Sequence, residues 1–534
     1  MNRWSEKKQK NRIKTQFGKN PMDMENWESL QLRMYEIEMY EQRRRKTFNQ
    51  EWVDDVTWND LEMDRVFARI NHTRTYMGEQ ILYHRLHGCK NRQKLQRMEK
   101  RIAFFSCQES SRIKVEEKLS HIGKQKENYY LPLFLMDEIN WPVTSCIGLY
   151  LQQVLLVICL AGTVLVRSNV WGLGLLVVAT VNLLIYLHAK NKYEGNLFAV
   201  ANMKVALDFC NWMIKSFEGN QLYADEEILQ ALEKTRKLAK QMGRWQARKY
   251  QSVTGDLTGI VQDYLAGVTL YDIVAFCHIE KALRKCRKET LQLYEFVGDV
   301  DTDIAIASFR KSLTNWCSPM IQKSGSIRLE KICHPLMDDG VANSIELRKG
   351  AIFTGANASG KSTFMKAVAI NVILAQTIHT CVAKNVKMPT IKVMTSMALR
   401  DDVVQKESYY MREMKYLKRM LDEIEKGEPV LFVIDEILKG TNTRERLGAS
   451  KAILSYMAQK PGFLLVATHD LELVKAEEDL YETYYFDSQI CGKDIIFPYK
   501  MKQGIVVRTN AIDLMEMMDF PKEITDKARI VSAR

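Results

Sequence analysis

Gly355-Ala356-Asn357-Ala358-Ser359-Gly360-Lys361-Ser362-Thr363 is the stretch on which the reading of this 534-residue chain turns. It satisfies G-x-x-x-x-G-K-[ST], with the apolar run AIFTG leading into it and FMKAVAINVILAQ following, so strand, loop and helix are expected in that order. The chemistry explains the residue types. Glycines let backbone N–H groups curl around a β-phosphate, and the helix that follows adds its positive N-terminal end. Lys361 has the reach for the β- and γ-phosphates, and the Ser362 hydroxyl is placed to ligate Mg2+. A phosphate-binding loop for ATP is therefore expected over residues 355–363.

Two more apolar runs supply what such a loop requires. Residues 429–436, PVLFVIDE, read as a strand buried on both faces that ends in two carboxylates. Asp435 would complete the Mg2+ shell and Glu436 would polarise the attacking water. Residues 463–470, FLLVATHD, form a third strand ending in His469, the place of a γ-phosphate-sensing His in ABC-type ATPases. From about Ile332 onward, apolar strands alternate with amphipathic helices, the signature of an α/β domain.

Composition bounds the remainder. With 46% hydrophobic and 27% charged residues, dominant disorder is excluded, and 26 Gly and 10 Pro exclude a collagen-like chain. The 11 cysteines include no C-x-x-C pair and no His/Cys cluster at zinc spacing, which points to a reducing compartment. The formal charge of +12 invites a nucleic-acid reading. Its distribution weakens that reading: Lys+Arg against Asp+Glu is 27 to 21 over residues 1–141, 22 to 17 over 142–335, and 28 to 27 over 336–534. The basicity lies outside the nucleotide-binding third.

Cys146–Val166 is 21 residues without a charge, and Val170–Leu187 is 18 more, with Arg167-Ser168-Asn169 between them. Two runs of bilayer length joined by a tight turn read as a transmembrane hairpin contacting lipid over residues 146–187. Trp141, Tyr150, Trp171 and Tyr186 near the run ends suit the interface. Lys190, Lys192 and the many basic residues before position 130 place both long soluble parts on the cytoplasmic side, so the expected location is the cytoplasmic membrane. A buried hairpin in a large soluble core is the bland alternative. Residues 1–50 read as a basic tail, with seven Lys/Arg against one Glu in the first 20. Helical periodicity follows over 51–141 (Leu61, Val66, Ile70, Met77, Ile81, Leu82 and Leu86) and resumes over 190–331, leaving 142–189 for the hairpin and 332–534 for the α/β part. Lys234–Lys249 carries seven basic and no acidic residues, and Lys281–Lys288 five and none. Each is a solvated face or a strip for phosphates and headgroups.

Together these segments resemble the MutS mismatch-repair ATPases. The resemblance rests on Cys333-His334-Pro335-Leu336, TGANASGKSTFMKAVAINVILAQ, Arg400–Met414, DEILKGTNTRERLGASKAIL and the closing GIVVRTNAIDLMEMMDFPKEITDKAR, with sparser similarity at Asn71–His87, Arg97–Phe105 and Leu293–Asn315. It implies a multidomain chain: a C-terminal α/β P-loop ATPase domain of ABC/MutS type, and an N-terminal all-α core and lever domain interrupted by the hairpin. It further implies ATP and Mg2+, a homodimer with composite sites, and Ser408 as the serine that touches the neighbour's γ-phosphate. Ala356, Ala358 and Ser359 replace residues typically Pro, Met and Gly, and Lys406 stands where that family usually has a glycine. About 50 residues precede the core and no strand-rich clamp is visible, so the expectation is a member without mismatch reader or clamp. The resemblance implies DNA as a partner, while the charge map supports a bilayer at least as well. An interaction scaffold with ATP-controlled dimerisation is the competing class.

Overall fold

The central helix Arg287–Ser312 organises the N-terminal two thirds, because nearly every residue from Leu293 to Arg310 is shielded, polar ones included. Its Asp301 accepts hydrogen bonds from the backbone N–H of Arg74 and Thr75 and from the Thr75 hydroxyl. Thr75 in turn caps the helix Tyr76–His87 through the Gly78 N–H. One buried carboxylate thus fixes the entry of the helix packed alongside, satisfying donors that a helix start leaves orphaned. Helices Arg92–Cys107, Glu109–Ile122 and Glu226–Ser252 complete this all-α body. The computed structural model describes residues 3–48, 52–88, 92–136, 146–217, 223, 225–252, 264–356, 358–397, 409–438, 442–491, 494–505, 512, 515–516 and 518–532.

Over the described residues 3–48 the expected basic tail is instead packed helix. Arg3–Gln16 and Trp27–Phe48 are helices, and Ile13, Phe17, Leu30, Met34, Ile37 and Tyr40 are buried. The apolar residues are sparse, yet Leu30, Met34 and Ile37 recur at helical steps and so share one face. Arg33 anchors this helix to the body by ion pairs with Glu25 and with the fully buried Glu79.

The hairpin is two helices, Cys146–Val166 and Asn169–Ser216, the second continuing 48 residues without a break into the all-α body. Both are long and apolar enough to cross a membrane. Their large apolar side chains point outward: Leu151, Val164, Leu165, Val170, Leu173 and Leu176 are each more than 60% exposed. A core helix of a water-soluble body would bury that surface.

Strands begin at Met320, upstream of the change of character placed near Ile332. A four-stranded sheet has the order β1 (Met320–Gln322), β5 (Asn385–Pro389), β2 (Ile327–Ile332), β3 (Asn343–Leu347). β2 alternates buried Ile327 and Leu329 with exposed Arg328, which is how a strand with one wet face reads. The larger sheet has six strands in the order β12 (Met501–Gln503), β9 (Glu482–Phe486), β4 (Gly350–Gly355), β8 (Gly462–Ala467), β7 (Val430–Asp435), β6 (Lys392–Ser396). Five are parallel, and β12 alone runs antiparallel at one edge. β4 is buried throughout and β7 from Val430 to Ile434, because helices cover both faces of a parallel sheet. Gln489–Cys491 and Asp494–Ile496 (β10, β11) form a separate antiparallel pair.

Candidate active site

Sheet register decides which residues meet. β7 and β8 pair so that Asp435 stands opposite Ala467, and β4 and β8 so that Phe353 does. The ladder runs on past both ends: the Glu436 N–H donates to Ala467 O at 2.9 Å and the Thr468 N–H to Phe353 O at 3.0 Å. The carboxyl ends of three parallel strands therefore come out at one level, where open α/β sheets bind ligands. The expected phosphate loop leaves β4 there, the acidic pair leaves β7, and His469 leaves β8.

The loop has the expected context. Gly355 ends β4 with φ +137°, and a Cβ there would lie 2.5 Å from Phe486 O, so no larger residue fits this turn. Gly360 precedes the helix Lys361–Thr377, whose first turn has no side-chain cap. The N–H groups and dipole of that first turn face the loop, which is the arrangement that holds anionic groups. Lys361 is buried and its Nζ donates to Gly355 O at 2.8 Å and Ala356 O at 2.9 Å, so the ammonium bends back over the loop. Ser359 Oγ is fully buried without a hydrogen-bond partner among the described residues. A donor-rich loop with an orphaned hydroxyl and a buried cation fits a polyphosphate. Asn357 and Ser408 lie outside the described residues.

Glu436 holds a positive φ of 58°, a conformation that costs a non-glycine residue free energy and is retained where the surroundings impose it. It brings the carboxylate to His469, with Glu436 Oε1 3.3 Å from Nε2. Both side chains remain part-exposed, open to the cavity. His469 is steadied in sequence by Asp470, whose N–H donates to the Thr468 hydroxyl and whose carboxylate accepts from Arg446 at 2.9 Å.

These groups line one cavity of about 560 Å3, together with Ala358, Ser359, Gly360, Ser362, Thr363 and Asp435. That volume suits a nucleotide-sized ligand. Ser362 lies in the first turn of the helix and Asp435 ends β7 on the same cavity, the hydroxyl-plus-carboxylate set that suits Mg2+. Sequence reasoning missed the other wall. Tyr499, with φ +54°, lays its ring against Gly360 and is pinned by Asn343, whose Nδ2 donates to Tyr499 O at 2.9 Å. No short motif marks Tyr499, because it arrives from the segment just before edge strand β12. His334 also lines the cavity, and burial followed by Lys366 pushes its imidazole down to about 4, keeping it neutral. Its Nδ1 accepts from the Leu336 N–H, so the ring proton sits on Nε2.

Residues 351–534 match the family model described as MutS domain V. Similar proteins include the DNA mismatch repair protein MutS of Aquifex pyrophilus, 26% identical over 263 residues, covering 46% of this chain and 30% of that protein. The protein of the same name from Natronomonas pharaonis is 29% identical over 243 residues, covering 43% of this chain and 28% of its own length. That of Staphylococcus haemolyticus is 28% identical over 267 residues, covering 48% and 29%. The matched stretch spans less than a third of these relatives.

Proposed function

We propose, from the premise that this chain belongs to the MutS family through its domain V, that it is a membrane-anchored ATPase. The observation that carries the reading is the convergence of the loop, the acidic pair and His469 on one cavity. The loop N–H groups and Ser359 would hold the β-phosphate, and Lys361 would trade its two carbonyl partners for phosphate oxygens. Ser362 and Asp435 would hold Mg2+, which supplies charge neutralisation on the phosphates. Glu436 would orient the attacking water and draw its proton, while His469 holds that carboxylate and faces the γ-phosphate. Catalysis is then positioning and electrostatic stabilisation. The purified full chain should hydrolyse ATP, and Lys361→Ala should abolish nucleotide binding. A parent protein that does not bind ATP in the presence of Mg2+ would remove the proposal.

The outward apolar surface of the hairpin and its length support the anchor, and the basic residues after it favour a cytoplasmic ATPase. Pairing of two chains, with Ser408 completing the neighbour's site, follows from the family resemblance. Coupling of the ATPase to the all-α body has a physical route. Arg310, at the end of the central helix, donates to Thr380 Oγ1, His379 O and both oxygens of Glu99, tying that helix to the segment after Lys361–Thr377.

A DNA-binding reading has one favourable observation beside the relatives' name. On the helix Glu226–Ser252, Lys234, Arg236, Lys237 and Lys240 are exposed while Ala231, Thr235, Leu238 and Met242 are buried. The strip is therefore an outer face, although Lys234 already pairs with Glu289 at 2.8 Å. If it grips duplex phosphates, each neutralised phosphate should add about −0.9 to the slope of log affinity against log salt. No binding to duplex or branched DNA at low salt would eliminate this reading.

A further inference from the structure

The segment 264–278 docks on the hairpin in a way that neither the anchor nor the ATPase explains. Residues 264–268 are helical, the chain turns at Thr269-Leu270 with Leu270 at φ +53°, and the helix Tyr271–Lys285 leads back. The turn is held by two amides of the hairpin, one half-buried and one fully buried. Gln153 Nε2 donates to Thr269 O and Asn182 Nδ2 to Val268 O, each at 2.8 Å, and Asn182 is fully buried. Leu149 and Tyr186 of the hairpin form a separate cluster with Leu270, Val274 and Cys277. Gly267 allows the approach, since a Cβ there would lie 3.0 Å from the Tyr186 ring.

The two amides share one level. Gln153 is 14 residues from Arg167 (167 − 153) and Asn182 is 14 from Ser168 (182 − 168), the two residues of the hairpin turn. At 1.5 Å per residue that is about 21 Å from the turn. In a hydrocarbon layer about 30 Å thick the docked turn would lie roughly 9 Å inside the near surface. Non-helical backbone is tolerated at that depth only where its polar groups are satisfied, and Gln153 and Asn182 satisfy the two carbonyls at the turn. Tyr264 and Leu265 are 60% and 57% exposed, which in water would be unfavourable and in lipid is not. Asp272, the one acidic residue of 264–278, sits in the first turn of its helix, where the helix dipole favours it. Lys281, Arg284, Lys285, Arg287 and Lys288 follow immediately, where lipid headgroups would meet them.

We infer that residues 264–278 form a re-entrant element that enters the bilayer beside the hairpin and presents Tyr264 and Leu265 to acyl chains. It rests on the hairpin being membrane-spanning. It also gives the ATPase a membrane-inserted end, because Tyr271–Lys285 runs on through Cys286 into the central helix that closes on Thr380.

The test places a photo-crosslinking amino acid at Leu265, at Leu176 on the hairpin, or at Leu32, 82% exposed on the all-α body, in the full chain in native membranes. Phospholipid adducts should form at Leu176 and Leu265, each about tenfold above Leu32, as expected for side chains held in acyl chains rather than water. Adducts at Leu176 with Leu265 no better than Leu32 overturn the re-entrant element and leave the hairpin standing. Protein adducts at Leu265 in place of lipid overturn it equally. Absence of lipid adducts at all three positions overturns the membrane reading and this inference with it.

Discussion

Glu436→Gln should keep ATP bound while turnover falls by about two to four orders of magnitude, the contribution of a positioned general base. The substitution is nearly isosteric, so Lys361, the loop N–H groups and the helix N-terminus still hold the phosphates. What disappears is the group that draws a proton from water. The amide can still meet His469 across the 3.3 Å that separates Glu436 Oε1 from Nε2, so the histidine keeps its place. Affinity and single-turnover hydrolysis, measured on the same preparation, separate binding from chemistry. Hydrolysis within about threefold of the parent would show that Glu436 has no role in the proton transfer.

Glu79→Ala is expected to cost the all-α body about 3 kcal/mol, because it removes the buried carboxylate shared by the half-buried Arg33 and Lys124 and by buried polar partners. Glu79 is fully buried and accepts from Arg33, from Lys124 at 2.8 Å, from Asn71 at 2.8 Å, and from the Tyr129 hydroxyl. Burial opposes its charge, but Lys124 and Arg33 outweigh burial and hold the carboxyl down at about 2, against 4.5 for an ordinary Glu. The linkage has a definite sign. The folded value lies below the unfolded one, so the stabilisation is complete above pH 4.5 and is lost as pH falls toward 2. Denaturant midpoints of the detergent-solubilised chain should fall for Glu79→Ala, with Glu79→Gln between it and the parent. The Ala variant should also lose less stability than the parent on acidification through that window. A midpoint shift worth under about 0.5 kcal/mol would mean the ion cluster contributes no more than surface charges do.

Legibility in the sequence followed the distance over which each constraint acts. The strand, loop and helix around residues 355–363 were readable because phosphate-loop chemistry needs consecutive residues, and the structure has Gly355 ending β4 and Lys361 opening the helix. The ends of PVLFVIDE and FLLVATHD were readable as candidates one at a time. The register that brings them together was not, since it requires β7 and β8 to be neighbours with Asp435 set against Ala467. Tyr499 was invisible for the same reason: an aromatic in a loop has no pattern until the edge strand folds it onto Gly360. The N-terminal segment was misjudged because Lys and Arg dominate its composition while Ile13, Phe17 and Leu30 do the packing. The segment 264–278 escaped notice because its apolar run is short and broken by Asp272, well below the length that marks a span.

The unbroken helix Asn169–Ser216 bears on how two copies would find each other. Forty-eight residues at 1.5 Å each make a rod of about 72 Å, which runs from the apolar hairpin into the all-α body without a break. With the hairpin in a bilayer, as proposed, such a rod would fix the height and tilt of the C-terminal domain above the lipid. Copies would then search a plane rather than a volume, with their nucleotide faces already at matching height. Much of the orientational entropy of association is spent once, on insertion, and the effective concentration rises accordingly. A face too weak to pair in solution would pair on the membrane, so the bilayer itself would act as the first control over assembly of the site.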